Sequence, residues 1–404
     1  MPACGFVYCV STDAIGRTQG RPSGDAGSAA DEELEVLVAP DYRDSNPYQE
    51  QLATGLTKRG ATVSTASGSG YLFPFSRMAL RGGRPDVFHL HFFAPYMIVG
   101  DDRLRRLRIG WLVTAVLGVS LLLDLAVLRL CGVGTVWTAH DLTNHERRYV
   151  RTETAVKRVA VRFLLDRVVV HCETAGEEVR ETLGLADTAG KFRVIPHGHF
   201  LDSYPDDLTQ AEARDRLDLE DAGTVFAFFG WIRPYKNVPR LVEQFKRLED
   251  PRARLLVVGQ ARSADLERRV RAACADDDRV HATLEFVPDE EVQLYMNAAD
   301  AVVLPFRTEE DGGRSLLTSG SVILAMGFHN AVVAPAVGCV GDLLDSDRGV
   351  PYPPDAHDQP YRAMRSLLGA DLDGMGARNY QLAVSLDWNS IARRTLQTYR
   401  NAER

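Results

Sequence analysis

The segment Gly230-Trp-Ile-Arg-Pro-Tyr-Lys236 sets two cations, Arg233 and Lys236, between an apolar run and a helical pattern. Gly230 lets a ligand approach the backbone, and the helix N-terminus adds partial positive charge. Together these suit a diphosphate. A solvated loop that happens to carry two cations is the plainer alternative. A second loop, Thr318-Ser-Gly-Ser321, opens another helical pattern. The N–H groups around Ser319, Gly320 and Ser321 form an anion nest, unless a Ser is simply an N-cap. His140, Asp141, His145 and Glu146 crowd the run Trp137–Glu146. Such groups hold hydroxyls or take a proton from one. Metal binding is the rival idea, but the His spacing carries no metal signature. His89 and His91 lie two apart on a strand and share one face. His91 is the candidate for lining a cleft, and His89 for a satisfied core histidine. His197, in Pro196-His-Gly198, either points into the same cleft or belongs to a simple turn.

These loops need a scaffold, and the flanking pattern describes one. Leu34–Pro40, Ala61–Ala66, Val87–His91, Val133–Thr138, Val168–Cys172 and Phe192–Pro196 read as strands. Helical patterns separate most of them, including Gln51–Arg59 and Thr152–Leu165, the latter with an i, i+3, i+4, i+7 apolar stripe. Thr174-Ala-Gly-Glu177 has capping-box spacing before a helix ended by Gly184. Residues 201–223 are polar and mark a boundary. The alternation restarts with strands at Thr224–Gly230, Arg254–Gly259, Val280–Phe286, Ala301–Phe306 and Ala331–Pro335, and the chain closes on a helical tail. Alternation of this kind predicts parallel, doubly wound sheets, which bind ligands at the carboxyl ends of their strands. The expected division is 1–33 as a disordered extension, 34–205 and 206–375 as two Rossmann-like α/β domains, and 376–404 as a helix packing back toward the first.

The 404 residues are too many for one ordinary core. A net charge of −8 argues against a general nucleic-acid binder. The six cysteines form no CxxC pair, so neither a zinc site nor a disulfide framework is expected, and a reducing cytoplasm fits. Ile109–Val136 is strongly apolar and follows Arg103, Arg105, Arg106 and Arg108. Asp124 and Arg129 interrupt it, so a mostly buried or interfacial helix is expected rather than a span. The basic and apolar character of 103–130 predicts peripheral contact with the inner face of a membrane.

The stretch Phe226–Gly349 resembles the donor domain of GT-B glycosyltransferases, particularly family 4. The likeness is carried by Gly230 with Arg233 and Lys236, by Leu255–Gly259, Phe286–Tyr295, Ala298–Pro305 and Ala331–Pro335. Asn46-Pro-Tyr48, Trp137–Glu146 and Ile195–Gly198 are similar to acceptor-side segments of the same group. The resemblance implies that Arg233 and Lys236 hold a donor diphosphate, with Glu310, Ser319, Gly320 and Ser321 beside the donor. It implies that Phe286 and Val287 hold the base, and that His140 faces the donor sugar. Asn46, His91 and His197 then belong to the acceptor side or cleft. No cofactor or metal is implied, only a nucleotide-diphosphate sugar of the GDP-mannose or UDP-glucose type. The acceptor would be a glycan or lipid-linked glycan in surface polysaccharide or glycolipid synthesis.

One departure stands out. Family 4 usually places two glutamates eight apart. Glu309 or Glu310 supplies the first, and the Thr-Ser-Gly-Ser loop replaces the second, so retention of configuration does not carry over. Asp141 or Glu146 is then the base if the enzyme inverts. A GT-B-fold sugar-nucleotide epimerase and an inactive GT-B scaffold subunit are the alternatives.

Overall fold

The computed structural model describes residues 33–66, 72–98, 109–144, 147–307, 316–354 and 358–402. The extension expected over 1–33 lies, but for its last residue, outside them. The apolar runs become two six-stranded sheets. The first holds β1 (Glu35–Ala39), β2 (Thr62–Thr65), β3 (Val87–Leu90), β4 (Gly134–Thr138), β5 (Arg167–Val170) and β6 (Phe192–Val194), in the order β2-β1-β3-β4-β5-β6. The second holds β7 (Val225–Phe229), β8 (Arg254–Val258), β9 (Val280–Thr283), β10 (Ala301–Val303), β11 (Ala331–Pro335) and β12 (Gly349–Tyr352), in the order β12-β11-β10-β7-β8-β9. Every neighbouring pair is parallel. Helices cover the sheets, so central strands are buried on both faces and read as continuous apolar runs, as in Val225–Phe228. The order reverses between β1 and β3 and between β7 and β10, and these switch points open crevices at the strand ends.

Two glycines set the rim of the second crevice. Gly230 and Gly259 follow β7 and β8 at φ +115° and +131°, and a Cβ at 259 would collide with the Gly230 carbonyl. Only glycine tolerates that backbone and that approach.

The expected tail divides in two. The helix Leu372–Ser385 packs on the second domain, with Ala383 and Leu386 in its core. The helix Trp388–Arg400 lies on the first domain against Pro47–Thr57, burying Trp388, Ile391 and Tyr399. The chain therefore crosses back near 387, later than the expected 376. The segment 201–223, read as a bare boundary, contains the helix Gln210–Arg216, opened by a Thr209–Glu212 capping box. The Thr174–Glu177 box does not form. Cys172 caps that helix, accepting from the Ala175 N–H, and the Thr174 hydroxyl instead donates to Asp342 of the second domain at 2.8 Å.

Cys172 and Cys339 form a disulfide between the two domains, Cα–Cα 5.5 Å. This corrects the expectation of no disulfide. The partners lie 167 residues apart on separate domains, and no local spacing announces them.

The helix Gly110–Leu130 is long and apolar enough to cross a membrane. Its inner side buries Thr114, Gly118, Leu121, Leu125 and Leu128 against the first domain. Asp124 is fully buried and accepts the Phe75 and Ser76 N–H groups, both at 2.8 Å, capping the helix Pro74–Gly82. Trp111, Leu112, Val116, Val119 and Leu123 face outward, so the helix is not mostly buried.

Candidate active site in the cleft between the domains

On the second domain, the loop after β7 folds Lys236 inward. The residue is 7% exposed, and its Nζ lies over the Phe228 ring at 5.6 Å. An ideal Cβ on Gly230 would sit 3.4 Å from Lys236 Nζ and 3.8 Å from Ser321 Oγ, so the three converge on one space. Among the described residues no carboxylate pairs with Lys236 or Arg233. Burial, then the nearby Arg233, lowers the Lys236 pKa to about 8.

The helix Gly320–Gly327 points its N-terminus at this space. Ser319 is its N-cap and accepts the Val322 N–H at 3.4 Å, so that hydroxyl is spent on the helix. The N–H groups of Gly320 and Ser321 lie in the first turn, where no intrahelical acceptor exists. Phe286, 63% exposed, and Val287 lie in the loop after β9. Glu310 falls outside the described residues, as do His145, Glu146 and Arg103–Arg108.

On the first domain, four strand ends deliver histidines to one place. His91 follows β3, His140 follows β4, His171 follows β5 and His197 follows β6. Tyr48 stands among them, with ring centroids 4.7 Å from His197, 4.9 Å from His140, 5.5 Å from His171 and 5.9 Å from His91. His91 Nδ1 lies 3.0 Å from His140 Nε2, and His140 Nδ1 lies 3.3 Å from His171 Nε2. Desolvation holds His91 and His140 well below the ordinary imidazole value, His171 at about 4 and His197 at about 3. His89 is a satisfied core residue, bonded to Tyr399 and Thr138 at 2.7 Å each. His197 Nδ1 donates to the Gly198 carbonyl at 2.7 Å. Asn46 caps the helix Pro47–Thr57 by accepting the Tyr48 N–H, so its oxygen is used locally.

Asp141 meets the other domain through an antiparallel backbone bridge to Leu316. Tyr235, next to Lys236 in the donor-side loop, feels both Arg233 and Asp141; burial, chiefly, raises its pKa. The donor-side loop and the His140–Asp141 loop thus face each other across the cleft. A buried pair supports the latter. Lys157, 2% exposed in its side chain, bonds the fully buried Glu153 at 2.9 Å and the Leu142 carbonyl at 2.9 Å, and reaches Asp141 Oδ1 at 3.4 Å. Glu153 Oε2 accepts from the Asn144 N–H and side-chain amide at 2.9 and 2.7 Å.

The sequence reading did not single out Tyr48, Glu153, Lys157 or His171 as site residues. His171 carried a usable signal, since it ends a strand as His91 and His140 do.

Residues 223–370 match the family described as "Glycosyl transferases group 1". A GDP-mannose:glycolipid 4-beta-D-mannosyltransferase of Xanthomonas campestris pv. campestris is 29% identical over 320 residues, covering 72% of this chain and 82% of that protein. Sucrose-phosphate synthase of Thermosynechococcus elongatus superposes with a TM-score of 0.68 at 18% identity, covering 91% of this chain and 98% of that one. Anabaena HepE, solved with UDP and glucose, gives 0.65 at 14% identity, with 91% and 99% covered. The two sheets with their helices are the GT-B fold of these proteins.

Proposed function

We propose that this chain, a glycosyltransferase of the GT-B type, moves mannose from GDP-mannose to a lipid-linked glycan. The observation that carries this reading is Lys236, a buried ammonium with no carboxylate beside it among the described residues. A buried charge is costly unless it is paired, and a diphosphate supplies the missing anion. Arg233 and the Gly320 and Ser321 N–H groups add donors as the leaving group gains charge. In this reading these groups do the neutralising without a metal. Phe286 and Val287 flank the nucleobase.

Mannose and guanosine are taken from the activity of the Xanthomonas relative, and UDP-glucose is the alternative donor class. A β-linked product from the α-linked donor means inversion. The acceptor hydroxyl attacks C1 from the face opposite the diphosphate, and its proton passes to a base. Asp141 is that base, at the cleft edge of the loop that also brings His140 to the donor sugar.

A lipid-linked acceptor calls for a membrane surface. The outward row Trp111, Leu112, Val116, Val119 and Leu123 would lie in the interface, and the basic composition of 103–108 favours anionic lipid. Flotation with anionic liposomes tests that part, and protein that stays unbound at low salt rejects it. A thermal-shift panel of GDP, GDP-mannose, UDP and UDP-glucose tests the donor. The expected result is a raised midpoint with the guanosine compounds. A shift with UDP compounds alone rejects GDP-mannose, and no shift with any of the four rejects the reading.

A further inference from the structure

The proton positions in the histidine cluster follow from one carbonyl. His171 Nδ1 lies 3.0 Å from the Ile195 carbonyl oxygen, which can only accept, so His171 Nδ1 carries the proton. In the neutral ring Nε2 is then a lone pair, and it accepts from His140 Nδ1–H at 3.3 Å. His140 Nε2 in turn accepts from His91 Nδ1–H at 3.0 Å. The chain ends at His91 Nε2, a buried lone pair with no partner among the described residues. All three rings are therefore Nδ1–H tautomers, and both nitrogens of His140 are engaged.

We propose that His171 and His91 are positioning residues, which lock His140 into one tautomer and one ring plane beside the donor sugar. The proposal rests on the reading of His140 as a donor-sugar contact. It changes how that contact works, because the sugar meets the ring rather than a free N–H or lone pair. Phe92, stacked on His140 at 5.0 Å and 22°, and Tyr48, edge-on at 4.9 Å, hold the same plane. Burial keeps the three rings neutral. A neutral ring suits this place. Glycosyl transfer builds positive charge at the sugar C1 in the transition state, and an imidazolium there would oppose it.

The test uses the full chain with 15N-labelled histidine. Long-range 1H–15N spectra at neutral pH should show His91, His140 and His171 as neutral Nδ1–H tautomers, and an Nε2–H form at any of the three overturns the lock. His171→Leu removes the acceptor for His140. It should lower kcat by about ten- to a hundredfold while nucleoside diphosphate affinity stays within about twofold. His171→Gln offers an amide oxygen to His140 Nδ1–H and should restore kcat to within about threefold of the parent. Full turnover in the Leu variant, or equal loss in both, removes the positioning role. Should the Leu variant not fold, the spectra of the parent protein decide. Failure of the parent to bind any nucleoside diphosphate would instead sink the donor reading, and would leave the tautomer result standing.

Discussion

Cys172 at the carboxyl end of the first sheet is covalently joined to Cys339 of the second domain, beside the Thr174–Asp342 hydrogen bond that also crosses the interface. The bond therefore acts on the relation between the domains. It closes a loop of 167 residues, and a cross-link of that reach removes conformational freedom from the unfolded chain. Reduction should cost about 2–4 kcal/mol and lower the unfolding midpoint. Cys339→Ser should reproduce the effect without reductant, whereas Cys131→Ser should not. Identical melting curves with and without reductant would show that the bridge adds no stability.

The donor site should titrate through Lys236. Its pKa in the free protein is lowered to about 8, and only the ammonium attracts a diphosphate. Affinity for the nucleoside diphosphate is thus full below that value and should fall as pH rises through it. Lys236→Met should bind about ten- to a hundredfold more weakly, a loss of about 1.5–3 kcal/mol, and should lose the pH dependence. Calorimetry from neutral to about pH 9, a unit above that pKa, reads both. Affinity that is flat in the parent protein would separate Lys236 from the phosphates.

How much of this was legible in the sequence follows from the range of each interaction. The strand ends were readable because β-branched runs stop at Gly or polar residues, which put His91, His140, His197, Arg233 and Lys236 on the right loops. β12, Gly349–Tyr352, was missed because its Val-Pro-Tyr run is too short and carries a proline. At the Thr318–Ser321 loop the Ser319 side chain is the N-cap, and the N–H groups of Gly320 and Ser321 lie in the first helical turn. Glu153 and Cys339 were silent. Each acts through a partner in another element, and only the folded chain brings those together.

Acid should unfold the protein from the histidine cluster. His89 and His197 are lowered to about 3 and His171 to about 4, chiefly by desolvation. In the unfolded chain each titrates near about 6.5. Between these values the unfolded state binds more protons, so stability falls as pH falls below about 6.5, by up to about 1.4 kcal/mol per pH unit for each ring. The loss levels off only below about 3 for His89 and His197. Urea unfolding at about pH 7.5 and about pH 5, on either side of the free imidazole value, should show a clearly lower midpoint at the acid value. Equal midpoints would mean that the rings are charged or solvated in the native state.

The last prediction separates folding from chemistry in the loop that carries Asp141. Lys157 and Glu153 hold it from below, the lysine through the Leu142 carbonyl and the glutamate through Asn144. Lys157→Met leaves Glu153 buried without a cation, which should cost about 3–5 kcal/mol. Replacing both, as Glu153→Leu with Lys157→Leu, removes the stranded charge and should recover part of that stability. It should not recover turnover, because residues 141–144 still lack the ammonium and the carboxylate that anchor them. Nucleoside diphosphate affinity should stay near the parent value in the double variant, since that site lies on the other domain. Asp141→Asn keeps the shape but cannot take a proton, and should lower turnover by about 10²–10⁴ with little change in stability. Urea unfolding, calorimetry and a transfer assay on the three variants decide. A double variant that is both stable and fully active would show that the pair serves only the fold, and an active Asp141→Asn would move the base elsewhere.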